Sequence, residues 1–139
     1  MEPSARYLVL HGTIILLIGL LCGAPYGRAI NGRAAAHIVH SWRVAHLSLP
    51  IGAILMFAVA PLLASFAVAA QVRQLIANLL IVSGYSFCVA LPLAAMVGER
   101  GLSHRGSLKA KAVFVGNVVG AVTSLLASLV LVYAAFESL

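Results

Sequence analysis

The charged residues of this chain are so sparse that they leave four long uncharged stretches between them. These stretches cover residues 7–27, 44–72, 74–98 and 112–136. Each is at least as long as the roughly 20 apolar residues that a helix needs to cross the hydrocarbon core of a bilayer. None of them keeps a polar face for water, which disfavours four buried helices of a soluble protein. The pattern predicts an all-α, integral membrane four-helix transmembrane bundle, with residues 1–139 as a single domain.

The connections between the spans differ in character. The first, residues 28–41, is the longest and contains a segment, 34–40, that is suited to a short interfacial helix. A tight turn is expected at 71–74, and the third connection, 99–106, is rich in glycine and serine. In the fourth span small residues recur at every fourth position, a stripe that allows close helix contact: Gly116, Gly120, Ser124 and Ser128.

Composition agrees with a membrane protein. Hydrophobic residues make up 63% of the chain and charged residues 9%, whereas soluble domains average roughly 25% charged residues. A cleaved signal peptide is an alternative for the first stretch. Its basic region holds Arg6 alone, however, and no A-x-A cleavage site follows the apolar run. We expect the first stretch to remain in the mature protein.

The lysine and arginine residues predict the orientation of the chain. Two of them, Arg6 and Arg73, lie on one side of the predicted bundle, and seven lie in or beside the first and third connections: Arg28, Arg33, Arg43, Arg100, Arg105, Lys109 and Lys111. Because basic residues favour the cytoplasmic side, we expect both termini to be periplasmic in a bacterial inner membrane. The net charge of +6 then reflects topology. Nucleic-acid binding is disfavoured, since the basic residues are split between two loops without interleaved aromatic residues.

Several kinds of chemistry are unsupported by the residues available. The acidic residues are Glu2, Glu99 and Glu137, all outside the spans, so the membrane carboxylate of a proton-coupled pump or cation channel is missing. A paired-carboxylate hydrolase and a serine triad lack their acids as well. Cys22 and Cys88 form no C-x-x-C motif and are best interpreted as small apolar fillers rather than thiolate ligands of a heme.

The histidines are the remaining candidates for function. Three of the five lie in predicted loops, namely His37, His40 and His104. His11 and His46 lie inside spans, where a histidine either serves a function or is a neutral imidazole bonded to a neighbouring helix. At 1.5 Å per residue the two are separated by roughly 20 Å across the membrane. They cannot bind one iron within a subunit, and a heme would therefore have a single protein ligand unless a partner chain supplied another.

Four short motifs carry a family resemblance. Trp42-Arg43-Val44-Ala45-His46 has the form W-x-x-A-H, and Ala58-Val59-Ala60 follows it. His11-Gly12 lies in the first span, and Gly98-Glu99-Arg100-Gly101-Leu102 follows the third. In this order and placement the motifs resemble those of the styrene oxide isomerases.

The resemblance implies a fold, a cofactor and an activity. It implies a membrane-embedded trimer that holds heme b near its subunit interfaces, with His46 as the axial ligand and with Trp42 and Arg43 near the heme. Ferric heme would act as a Lewis acid on an epoxide oxygen, followed by ring opening, hydride migration and release of an aldehyde. The partners implied are the lipid bilayer, further copies of the chain and a small apolar epoxide.

Two positions depart from the family pattern. The asparagine and tyrosine that line the family's substrate pocket correspond here to Gly52 and Leu91. Ser48 and Tyr85 are pocket candidates that would restore polar contacts, as are Ser83 and Ser86, although each of the four could equally form bonds between helices. A bulkier or more apolar epoxide than styrene oxide suits the change. The expected wall of the pocket is almost wholly apolar: Leu49, Ile51, Leu55, Met56, Leu91 and Leu93.

Three functions stay open on the sequence. The first is a heme b-dependent epoxide isomerase. The second is a heme-binding membrane protein without isomerase activity, such as a sensor or cytochrome. The third is an assembly or transport subunit without a cofactor. A visible absorption spectrum separates the third from the others, and redox-independent conversion of an epoxide to a carbonyl separates the first from the second.

Overall fold

The computed structural model describes residues 1–98 and 107–139. Its elements are α1 (Pro3–Leu21), α2 (Gly23–Asn31), α3 (Ala36–Leu63), α4 (Ala70–Val97) and α5 (Leu108–Phe136). Four segments are long and apolar enough to cross a membrane, because α1 and α2 together form the first of them, interrupted at Cys22. The predicted all-α architecture with four spans is confirmed. Pro50, Pro61 and Pro92 lie inside α3 and α4, which continue through them.

The ends of the helices differ from the predicted spans. Helix α3 already begins at Ala36, so the segment proposed as an interfacial helix forms its first turn instead. The turn between α3 and α4 occupies residues 64–69, and the tight turn predicted at 71–74 is wrong. The prediction took Arg73 as the limit of a span. Arg73 instead lies in the first turn of α4 and donates from Nη1 to the carbonyl of Phe66. The third connection, 99–106, lies outside the described residues.

Glycines bring α1 against α3. A Cβ atom at Gly12 would lie 2.9 Å from Phe57 Cε1, and one at Gly19 would lie 2.5 Å from Pro50 Cδ. The two backbones approach this closely because no side chain separates them, which is the usual role of small residues between membrane helices. The contacts also show that α1 and α3 run antiparallel.

Helix α5 packs against α4 and against no other helix among those described. A Cβ atom at Gly116 would lie 2.9 Å from that of Ala90, and one at Gly120 would lie 2.8 Å from Phe87 Cζ. Ser83 Oγ, buried, donates to the Gly120 carbonyl at 2.8 Å. Packing by the first half of the predicted small-residue stripe is therefore confirmed. Ser128, by contrast, is exposed and donates to Ser124 of its own helix.

Contacts at one end of the bundle join the two termini to the α3–α4 turn. Arg73 Nε lies 3.8 Å from Glu2 Oε1. The Ala67 N–H donates to Ser138 Oγ at 2.9 Å. At the opposite end, a Cβ atom at Gly98 would lie 3.2 Å from Ile38 Cδ1 in the first turn of α3. Both termini thus share one end with the α3–α4 turn, as predicted. The assignment of that end to the periplasm stays a prediction.

Candidate functional site

The half-buried imidazole of His46 is held by the backbone of the first span. Its Nδ1 lies 3.0 Å from the carbonyl oxygen of Gly19, in the last turn of α1. A carbonyl only accepts hydrogen bonds, so Nδ1 carries the proton and donates it. The tautomer of the imidazole with this single proton has an unprotonated Nε2, whose lone pair is available. A histidine in this state is the type of ligand that holds a heme iron.

Two residues of α2 complete the surroundings of His46. Gly23 lies directly against the ring, because a Cβ atom there would be 3.0 Å from His46 Cε1. The Tyr26 ring lies 6.1 Å from the imidazole, centroid to centroid, at an interplanar angle of 35°. Sequence reasoning missed both residues. The uncharged run from 7 to 27 gives no sign that the helix breaks at Cys22 and turns these residues toward α3.

Trp42 and Arg43 precede His46 by about one turn of α3, which places them near the same side of the helix. Trp42 is half-buried and packs against the core. Arg43 is exposed and donates from Nη2 to His40 Nδ1 at 3.2 Å. Within residues 1–98 and 107–139, no group of three or more histidine, cysteine or acidic residues could hold a metal ion. The donor at this position is a single imidazole, which fits a heme better than a multidentate metal site.

An apolar cavity of about 350 Å³ lies beside α3 and α4 and reaches Ser124 of α5. Gly52, Leu91 and Ser48, all predicted as pocket residues, line it together. Gly52 is not needed for helix packing, since a Cβ atom there would meet nothing within 4 Å. The remaining lining residues are mostly apolar: Ile15, Leu49, Ile51, Leu55, Met56, Leu80, Ser83, Gly84, Phe87 and Ser124.

Few hydroxyl groups of the cavity are available to a ligand. Ser83 donates to the carbonyl of Gly120, and Ser124 donates to that of Ala121. Ser48 is exposed and forms no hydrogen bond within the described part of the chain. It is therefore the one lining hydroxyl among the described residues that can donate to a bound molecule without breaking an internal bond.

The comparison with known proteins agrees with this geometry. The family model for styrene oxide isomerase matches residues 4–136. The chain belongs to the styrene oxide isomerase family. No curated protein matches the sequence at a significant level.

The cavity and His46 lie on different parts of the surface of α3. His46 does not line the cavity, whereas Ser48, two residues later, does. Two residues correspond to about 200° of rotation around a helix. His46 consequently faces α1 and α2, while Ser48 and Gly52 face the cavity. The residues predicted to form the apolar wall do line a cavity, with the exception of Leu93. This cavity does not surround His46 of the same chain.

The other polar candidates are bonded between or within helices. Tyr85 does not line the cavity, and its hydroxyl lies 2.8 Å from His11 Nδ1, with the two rings edge to face. His11 therefore agrees with the second of its two interpretations, an imidazole bonded to a neighbouring helix. Ser86 donates to Val82 within α4.

The predicted separation of the two membrane histidines is also supported. His46 contacts Gly19 and Gly23, which follow His11 by eight and twelve positions. At the helical rise this corresponds to about 12–18 Å. Of the other histidines, His37 and His40 are exposed. His104 and the motif residues 99–102 lie outside the described residues.

Proposed function

We propose that this protein is a heme b-dependent epoxide isomerase that converts an apolar epoxide to an aldehyde or ketone. The observation that carries the proposal is the His46 imidazole, whose Nδ1–H is committed to the Gly19 carbonyl at 3.0 Å. Nε2 is left as the nitrogen that can bind iron. Membership of the styrene oxide isomerase family supports the reaction, and the resemblance of the motifs implies the cofactor.

When bound, ferric heme supplies a Lewis acid that polarises the epoxide oxygen without net electron transfer. The chain contributes the rest. His46 would hold the cofactor through Nε2 as its protein ligand. The Gly19 carbonyl fixes the ring's orientation, as second-shell partners of ligating histidines generally do.

The cavity lined by Gly52 and Leu91 is proposed to hold the substrate. Its described lining includes no charged side chain. Water is excluded by such a surface, and no carboxylate is present to capture a positively charged carbon. Rearrangement is therefore favoured over hydrolysis to a diol. The loss of polar side chains at positions 52 and 91 favours a bulkier or more apolar epoxide than styrene oxide.

We further propose that the active site is completed between copies of the chain. His46 and the cavity lie on different sides of α3, and the family resemblance implies a trimer. His46 of one copy would then act with the cavity of its neighbour. Co-expression of His46→Ala chains with Leu91→Trp chains tests this, because mixed oligomers should regain activity that neither variant has alone. Failure of mixed oligomers to regain activity would place both parts within one chain.

The activity is tested on purified protein loaded with heme. The visible spectrum should show a Soret band. A panel of aryl and terpene epoxides should yield carbonyl products without reductant, and dithionite should lower the rate, because ferric iron is the harder Lewis acid. A diol as main product, or turnover only after reduction, contradicts the mechanism. Heme binding without turnover of any epoxide would favour the non-enzymatic heme protein, and absence of heme would favour the cofactor-free subunit.

A further inference from the structure

The break between α1 and α2 forms a notch that receives the imidazole of His46. Two glycines, Gly19 and Gly23, lie on either side of the break at Cys22. Gly19 supplies the carbonyl that accepts from Nδ1, and Gly23 supplies the space in which the ring lies. We refer to these two residues as the glycine notch.

The absence of a side chain at Gly23 leaves room for the imidazole ring of His46. A Cβ atom at this position would lie 3.0 Å from His46 Cε1, 3.2 Å from Nδ1 and 3.5 Å from Nε2. An alanine would therefore push the ring by a few tenths of an ångström. Gly27, one turn later on the same helix, is different, because a Cβ atom there would meet nothing within 4 Å. The need for glycine is thus local to the imidazole and is not a general property of α2.

Gly19 brings its carbonyl within reach of the ring. A Cβ atom at Gly19 would lie 2.5 Å from Pro50 Cδ and 2.9 Å from Leu49 Cβ. Any larger residue would hold α1 farther from α3, and the 3.0 Å distance from Nδ1 to the carbonyl would lengthen. The absence of a side chain at Gly19 therefore acts on His46 through the spacing of the two helices.

We propose that the glycine notch is a positioning element for His46, which selects the tautomer protonated at Nδ1 and presents Nε2 to the metal. The inference rests on the proposed function in that it takes His46 as the heme ligand. Hydrogen bonding of the second ring nitrogen to a carbonyl fixes the tautomer and the rotation of a ligating histidine, and raises its basicity. In this chain that contact requires one glycine at the end of α1 and one at the start of α2, whereas the histidine lies on α3.

The notch is tested first on heme-free protein, by nitrogen NMR of histidine labelled with ¹⁵N. Comparison with His46→Ala assigns the His46 signals, and alkaline pH keeps the ring neutral. Wild-type protein should show Nδ1 protonated and Nε2 unprotonated. Gly23→Ala should return the ring to a mixture of tautomers, while Gly27→Ala, the matched control, should leave it as in the wild type.

Heme titration then measures how the notch affects the affinity for heme. Loss of a second-shell contact typically weakens metal binding by about 10- to 100-fold, and Gly23→Ala should fall in this range while Gly27→Ala stays close to wild type. Nε2 protonated in the wild type, or equal heme affinity of the two variants, would overturn the inference. The expected tautomers without any heme binding would instead support the notch and contradict the proposed function, so the two failures can be told apart.

Discussion

A histidine within a membrane span must satisfy its polar ring atoms, and the two such residues here do so in different ways. His11 bonds to the hydroxyl of Tyr85, which can donate or accept, so that bond does not select a tautomer. His46 bonds to a backbone carbonyl, which can only accept. This difference in partner chemistry, more than depth in the membrane, singles out His46 as the residue with a free lone pair.

The first prediction concerns the ligand itself. Replacement of His46 by alanine should abolish heme binding, because the described part of the chain offers no other comparable imidazole with an unprotonated Nε2 in a span. His37→Ala and His104→Ala should retain the cofactor. The measurement is the Soret absorbance per mole of purified protein after heme titration. A His46→Ala protein that keeps its full heme content would remove the central residue of the proposal.

The second prediction concerns the size of the cavity. A Cβ atom at Gly52 would meet nothing within 4 Å, and Gly52 lines the cavity, so the side chain of Gly52→Leu should enter the cavity without disturbing the fold. We expect kcat/KM for bulky epoxides to fall by about 10-fold or more, the usual effect of altered volume in an apolar pocket. Gly52→Ala, the smaller change, should have a weaker effect. If small and bulky epoxides lost turnover equally, Gly52 would have no role in size selection.

At the scale of the elements, α5 is held by fewer neighbours than the other spans, since among the described helices it contacts α4 alone. The interface depends on two small residues of α5 and on the buried bond from Ser83 to the Gly120 carbonyl. Because Phe87 also lines the cavity, the packing of α5 against α4 contributes to the shape of the proposed substrate site.

Gly120→Val tests this interface. A Cβ atom at Gly120 would lie 2.8 Å from Phe87 Cζ, and overpacking of this kind typically costs about 1–3 kcal/mol. The variant should unfold at a lower temperature in detergent, which the fluorescence of Trp42 can follow. Ala121→Val, at the exposed neighbouring position, is the control and should unfold like the wild type. Equal unfolding temperatures for the two variants would contradict the packing described.

The start of α1 is tied to α4 by a carboxylate whose pKa is altered. Burial opposes ionisation of Glu2, but hydrogen bonds from Ser4 and from the Ala5 N–H, together with the charge of Arg73, hold its pKa below the ordinary value of 4.5. A lowered pKa in the folded state contributes stability above the ordinary pKa, and this contribution is lost as the pH falls through the folded value.

Acidification should therefore destabilise the wild type more than Glu2→Gln. The measurement is the unfolding temperature in detergent for both proteins, at neutral pH and at a series of values below 4.5. The wild type should be the more stable protein at neutral pH, and the difference should shrink as Glu2 becomes protonated. A difference that stays constant across the series would mean that the Glu2 charge does not contribute.

At the scale of the whole molecule, the basic residues are distributed unevenly between the two ends of the bundle. Arg6 and Arg73 lie at the end that holds both termini, and the other five lysines and arginines among the described residues are at or near the opposite end: Arg28, Arg33, Arg43, Lys109 and Lys111. Positively charged connections are retained on the cytoplasmic side during insertion. The end with the termini should therefore face the periplasm.

Reporter fusions test this orientation. A reporter placed after Leu139 should register the periplasmic side, and one inserted between residues 101 and 106 should register the cytoplasm. A paired enzyme reporter, active on only one side of the membrane, gives complementary signals at the two sites. The reverse pattern would overturn the orientation and leave the arrangement of helices within the bundle unchanged.

The sequence alone determined the number of spans and the all-α class, and its resemblance to the family is what proposed His46 as a heme ligand. Transfer of a helix into hydrocarbon depends on its own residues, so long uncharged runs predict spans without knowledge of their neighbours. The ends of the helices were less predictable. Arg73 was predicted to end a span, but it lies within the first turn of α4. It can lie there because a neighbouring element can satisfy a basic side chain near the interface.

Only the tertiary structure decided what each functional residue faces. Successive residues of a helix point about 100° apart, so contacts depend on the rotation and register of every helix in the bundle. Gly52, Leu91 and Ser48 meet in one cavity, whereas Tyr85 is turned toward His11. The role of Gly23 beside His46 was hidden for the same reason. It arises from a helix break that hydropathy does not record and from a contact between two separate helices, which no local pattern contains.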